Sequence, residues 1–171
     1  MGRFFLENNI VALLTLFGIA LVAAVGFTQW DSLFASSQSD ELATYIQYEW
    51  QFNPSHQYGT AAFTPVALST KANPRLVTGV GTSSAVINSE WGTPLAWTGT
   101  GPAFTIGLTL VPTSDCTELL NNGTLAPYVT SLQVTGKSVE TALPMTGDAA
   151  TADCASGSVS ITVTAKGHPG S

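Results

Sequence analysis

Few residues in this sequence have the types and the spacing that chemistry needs. The two histidines, His56 and His168, stand far apart, neither has a nucleophile placed beside it, and no Gly-x-Ser-x-Gly elbow occurs. Cys116 and Cys154 together with those histidines lack metal-ligand spacing. Gly79-Val80-Gly81 and Gly99-Thr100-Gly101 are Gly-x-Gly pairs, but Ser84 and Phe104 stand where a phosphate-cradling loop needs its third glycine. Both pairs read as turn glycines. No catalytic set, metal or cofactor is therefore expected, and the chain does not read as an enzyme. Glu7 is different. It stands at the lip of an apolar run that carries no further charge until Asp31. A carboxylate carried alone into such surroundings costs several kcal/mol. It either stays at an interface or brings a cation with it, and the α-amino group of a neighbouring copy would serve. Such a pair would offset desolvation and set the axial register of the copies.

The elements that position these residues begin with the apolar run itself. Its residues 10–28 would span about 30 Å as a helix, the thickness of a bilayer's hydrocarbon core. A cleaved secretory signal, for which Ala23, Ala24, Val25 and Gly26 could form the cut site, would have a shorter apolar part behind Lys or Arg. Charged residues make up only 9% of the 171-residue chain, against the usual quarter of a soluble domain. The net charge is −6, and Arg3, Lys71, Arg75, Lys137 and Lys166 are scattered, so no basic stripe exists to bind nucleic acid directly.

Helical periodicity continues past the apolar run. Leu42, Ile46 and Trp50 recur at i, i+4 and i+8, with Tyr45, Glu49 and Phe52 flanking them and Asp40, Glu41 and Gln47 pointing elsewhere. One helix over residues 4–52 is expected, roughly 70 Å long, apolar all round below and amphipathic above. Residues 1–29 form its membrane-spanning or filament-core part, and 30–171 a globular head. Asn53-Pro54 ends the helix. Residues 53–84 read as a loop with at most short helices, one near 74–78. Strands are expected at 95–98, 104–111, 131–134 and 159–164, with a short helix over 114–121 capped by Ser114. Asn122-Gly123-Thr124 fits a glycosylation sequon but reads as a turn. The fold class is thus α+β, a long helix packed against a C-terminal antiparallel sheet. Trp30, Trp50, Trp91 and Trp97 read as core or interfacial anchors. In a chain that exports its C-terminal part, the even cysteine pair reads as a disulfide, with two free buried thiols as the alternative.

Two groups of residues carry a resemblance to a known family. Gly2-Arg3-Phe4-Phe5-Leu6-Glu7 resembles the processing site of type IV pilins, where a peptidase cuts after glycine and leaves glutamate as the fifth mature residue. The stretches "INSEWGTPLAWTGTGPAFTIGLTLVPTSDCTELL" and "SLQVTGKSV…ATADCASGSVSITVTA" resemble the type IVb class, specifically the thin-pilus major pilins of conjugative plasmids. Their marks are a turn through Gly92 and Pro94, Phe104 and Ile106 on a strand, and Val111-Pro112 before Cys116. Gly136 after Val134 and Cys154 ahead of a final strand complete them. The resemblance covers nearly the whole chain apart from 53–84. It departs at Arg3, where the family's first mature residue is apolar, and at the polar Asn8 and Asn9.

What the resemblance implies is a pilin-like structural subunit. Cleavage would follow Gly2, Arg3 would become the N-methylated terminus, and Glu7 would meet the N-terminal amine of a neighbour during assembly. Leu13, Leu16, Phe17, Ile19, Leu21 and Val22 would fill the filament core, at roughly 25 cal/mol per Å² buried. Gly18 and Gly26 each weaken a helix by about 1 kcal/mol relative to alanine. They imply either a helix that loosens in the filament or, with Ala20, Ala23 and Ala24, a tight helix crossing. Cys116–Cys154 would close a long outward-facing loop and staple the last strand to the short helix. The partners implied are further copies in a helical filament, the inner membrane before assembly, prepilin peptidase and the assembly machinery, and a recipient cell surface. The product would be an extracellular, conjugative or adhesive pilus on a Gram-negative bacterium. A minor tip pilin or adhesin, or a membrane-anchored periplasmic domain that does not polymerise, are the other readings.

Overall fold

Ser37 marks the start of the first described helix: its own backbone is extended, so the single helix expected over 4–52 does not run through it. Its hydroxyl accepts from the Asp40 N–H at 3.4 Å, and Asp40 and Glu41 place negative charge in the first turn. The computed structural model describes residues 37–155 and 157–167. The expected lower half of the long helix, Trp30, and the expectations at Gly2, Arg3, Glu7, Leu13, Leu16, Phe17, Gly18, Ile19, Leu21, Val22 and Gly26 lie outside the described residues. Among the described residues no helix is long and apolar enough to cross a membrane.

Helix α1, Gln38–Phe52, ends where Asn53-Pro54 predicts, with the Asn53 N–H closing onto the Glu49 carbonyl. It buries Leu42, Tyr45, Ile46, Glu49 and Trp50. Two side chains depart from the expected pattern. Phe52 is 37% exposed, because the chain leaves the helix there and nothing covers the last turn fully. Glu41, expected to face away, is buried, and its carboxylate accepts from the Tyr45 hydroxyl at 3.4 Å.

The loop that follows differs from expectation in where it turns helical. Helix α2 is Val66–Ser69, entered from Pro65 and closed when the Ser69 hydroxyl donates back to the Val66 carbonyl at 2.6 Å. The helix expected at 74–78 is absent: Asn73 forms a side-chain turn, accepting from the Arg75 N–H, and the chain then goes straight into a strand. That strand, β1 (Val77–Thr78), pairs antiparallel with β2 (Val86–Ile87).

Among the described residues the main sheet has five strands: β3 (Ala96–Gly99), β4 (Phe104–Val111), β5 (Val129–Val134), β6 (Val139–Glu140) and β7 (Val159–Ala165). Their order is β3-β4-β7-β5-β6, with every neighbouring pair antiparallel. The last strand therefore lies in the middle. Phe104, Ile106 and Leu108 of β4 alternate inward, as do Ile161, Val163 and Ala165 of β7. Helix α1 is fastened to this core at its far end, where Trp50 Nε1 donates to the Lys166 carbonyl just beyond β7 at 3.2 Å. Trp97 is also core, whereas Trp91 is half-buried and donates to the Thr109 carbonyl at 3.0 Å. The same carbonyl accepts from the Thr93 hydroxyl at 2.8 Å, and there the register breaks between Leu108 and Val111 and Leu110 takes a positive φ of 55°.

The outer edge of β3 is not left open. Residues 58–63 run along it, with the Gly99 N–H on the Ala61 carbonyl and the Phe63 N–H on the Trp97 carbonyl. A Cβ at Gly99 would collide with the Tyr58 carbonyl, so close approach, and not a phosphate, explains this Gly-x-Gly pair. Covering the edge removes a site for unwanted strand pairing.

Helix α3, Thr113–Asn121, starts one residue before the expected position, with Pro112 as N-cap and no side-chain cap bond. Ser114 lies inside the helix, and its hydroxyl donates to Asp115 instead. Asn122-Gly123-Thr124 forms the expected turn, the Thr124 N–H donating to Asn122 Oδ1 at 2.9 Å. Helix α4, Gly147–Asp153, was not expected; it buries only Ala150 and so carries no apolar period.

Removing a buried group from β7 should weaken the whole head. Ile161→Ala is expected to lower stability by about 2–5 kcal/mol, whereas Val139→Ala on the exposed edge strand should stay within about 0.5 kcal/mol of wild type. Urea titrations of the two variants against wild type check this, and equal midpoints would contradict the placement of β7.

Candidate functional site

Three features of the head could serve function, and each is assembled from separate elements. The first is the face bounded by the cysteines. Cys116 on α3 and Cys154, the C-cap of α4, are bonded, with Cα atoms 5.8 Å apart and both side chains buried. The bridge thus joins helix to helix and reaches β7 only through the segment that follows Cys154. Loop closure over the 38-residue separation contributes about 4 kcal/mol in the chain-entropy account. Lys137, in the turn between β5 and β6, adds an exposed ion pair to Asp153 at 3.6 Å and donates to the Ala152 carbonyl at 3.2 Å. The ion pair is worth little, but the two contacts tie that turn to α4.

The second feature is an acidic seam. Glu90 lies where α1, the loop after β2 and α3 meet, and its N–H donates to Gln38 Oε1 at 2.9 Å. Burial raises the Glu90 pKa, and the nearby charges of Glu41, Asp115 and Glu118 raise it further. No group of His, Cys, Asp or Glu among the described residues is arranged to hold a metal ion.

The third is a cavity of about 330 Å³ between the last turn of α1 and the loop after it. Glu49, Phe52, Tyr58, Phe63, Pro65 and Val66 form most of its wall. The Tyr58 hydroxyl donates to the Glu49 carbonyl at 3.2 Å, which pins the loop to the helix. The Tyr58 ring lies 4.7 Å from Phe104 and 5.8 Å from Phe63, so the wall continues into the core. Glu49 is 6% exposed, and among the described residues no group donates to its carboxylate. Burial lifts its pKa to about 7. Burial, followed by the charge of Glu49, pushes Tyr58 up to about 12. Sequence reading placed Glu49 on the flank of the buried stripe without singling it out. The available signal was an ionisable residue at i+3 from Ile46 and i+4 from Tyr45, inside an apolar face.

Of the residues expected to carry function, the structure brings Cys116 and Cys154 together. The remainder of that set lies outside the described residues.

Residues 34–166 match a family model described as PilS N terminal. Among solved structures, the crystal structure of type IV b pilin from Salmonella typhi is similar, with a TM-score of 0.50 and 18% sequence identity. The match covers 74% of this chain and 93% of that one, and at this identity it speaks for the fold. No curated protein matches the sequence.

The buried Glu49 makes a signed prediction for pH. A carboxyl whose folded pKa is raised holds its proton more tightly when folded, so its favourable contribution is complete below its ordinary pKa and is lost as pH rises through the folded value. From an ordinary 4.5 to about 7, wild type should lose stability on the order of 3 kcal/mol through this group. Glu49→Gln should remove that decline, leaving the variant more stable than wild type at pH 8. Urea titrations at a series of pH values check this; parallel curves for the two proteins would contradict it.

Proposed function

The chain belongs to the PilS family of type IV pilins, its head having the type IVb pilin fold, and on that premise we propose that it is the major structural subunit of a conjugative or adhesive pilus. The observation that carries this reading is the extent of the match. It begins just before α1 and ends just past β7, so every described helix and strand of the head falls inside it.

The mechanism proposed is assembly, not chemistry. Copies wait in the inner membrane with residues 1–29 in lipid. Prepilin peptidase cuts after Gly2, and the new terminus, Arg3, is methylated. Glu7 then meets the terminal amine of a neighbour, which neutralises both groups as the helix leaves the bilayer and sets the axial register. Leu13, Leu16, Phe17, Ile19, Leu21 and Val22 exchange lipid for one another in the core, and loosening at Gly18 and Gly26 lets the helices adjust. The face bounded by Cys116 and Cys154 turns outward toward neighbouring pili or a recipient cell. That face suits the role because its bridge resists unfolding outside the cell.

Glu7→Ala separates this reading from a membrane-anchored domain in which the carboxylate is incidental. Cells making the variant should keep a membrane pool of folded protein and lose filaments that can be sheared from their surface. Shearable filaments in wild-type amount would contradict the pairing of Glu7 with an amine.

A further inference from the structure

We propose that the cavity beneath the last turn of α1 is a binding site for a primary ammonium group carried on a short apolar stem, with Glu49 as its counter-ion. The inference goes beyond the assembly reading and does not rest on it. Its first support is the carboxylate itself. Glu49 is almost wholly buried and lines the cavity, and among the described residues it has neither a hydrogen-bond donor nor an ion pair. Its oxygens are not among the fully buried unpaired polar atoms, so they face the open cavity. There a proton, water or a cation from outside can meet them, and a cation offsets the cost of burial best.

The chain's own described cations do not supply it. Lys137 is committed to Asp153 and the Ala152 carbonyl, and Lys166 donates to the carbonyls of Ala126 and Pro127. Lys71 and Arg75 are exposed and do not line the cavity.

The walls select among external cations. Phe52, Tyr58 and Phe63 line the cavity with aromatic side chains, a residue type that attracts a cation which also meets a carboxylate. Phe52 and Val66 are exposed hydrophobic side chains on the cavity wall, so an apolar stem has surface to cover there. A hard metal ion is disfavoured, since it needs several oxygens and this wall offers one carboxylate. The Asn53 carbonyl oxygen is already taken by Ser55 and its amide by the Gln57 carbonyl. The other titratable group facing Glu49 is Tyr58, whose hydroxyl is engaged with the helix carbonyl; His56 lies on the same loop but does not line the cavity.

The ammonium could come from a lysine of a second copy or from a free amine, and the chemistry is the same. The test uses the full chain in detergent, unassembled, with n-butylammonium as probe and the carboxyl-carbon NMR signal of Glu49 as readout. Binding should shift that signal, lower the Glu49 pKa, and strengthen about tenfold per pH unit until the carboxyl is fully ionised. Butan-1-ol, equal in stem but uncharged, should bind about tenfold more weakly or worse, and Glu49→Gln should lose a similar factor for butylammonium. An unmoved Glu49 signal, or equal binding of the alcohol, overturns the site even where the variant does not fold. Carbodiimide coupling within filaments then decides the source. An amide between Glu49 and a lysine of another copy assigns it to assembly, and its absence beside retained butylammonium binding assigns a free amine.

Discussion

The head depends on its last strand reaching the middle of its sheet. Strand β7 pairs with β4 on one side and β5 on the other, so neither half of the sheet is complete without the chain's end. Such pairing is non-local, and closing it is the slow and entropically costly part of folding. The placement of Cys154 bears on this. It precedes β7 and is bonded to Cys116 on α3, so the bridge holds the approach to the strand against a helix already packed on the core. Trp50 then meets the carbonyl just past the strand and fastens α1 to the same place. Strand, bridge and helix thus depend on one another, which suits a domain that must stay folded outside the cell with few charges.

Sparse charge has a second consequence. With five basic residues in the chain, most carboxylates have no cation to meet. Glu90 sits beside other acids, and Glu49 sits among rings. A structural subunit gains little stability from such residues, because burial without a partner works against the charged form. The presence of Glu49 at the end of α1, on the wall of an open cavity, fits a group completed by something outside the monomer.

Much of this architecture was legible in the residues. The alternation of Phe104, Ile106 and Leu108 marks β4 as far as the break after Leu108, where Leu110 turns out to solvent, and that of Val159, Ile161 and Val163 marks β7, because both strands are long enough to show a period of two. The stripe of Leu42, Ile46 and Trp50 marks α1, and Asn53-Pro54 its end. What stayed hidden depends on contacts distant in sequence. Strands β1, β2 and β6 are two residues each and exist through their partners. Helix α4 is held by its packing on α3 and by the bridge, with Ala150 alone buried. Glu41 and Phe52 exchanged expected roles because the elements packed over α1, not its own periodicity, determine which flank is covered. The cavity was invisible for the same reason. Its wall forms only when Gly99 lets Tyr58 approach β3, and nothing local to Glu49 announces that. Legibility of the candidate assembly site is of another kind: Glu7 stands out by charge alone, against an apolar run.

The central claim is that this head is carried outward on a processed N-terminal helix as part of a filament. The intact mass of protein sheared from the surface of cells making it tests that claim most directly. The account predicts a chain that begins at Arg3, carries an added methyl group and lacks the two thiol hydrogens of Cys116 and Cys154. An uncut chain that stays with the membranes and never enters the sheared fraction would contradict it.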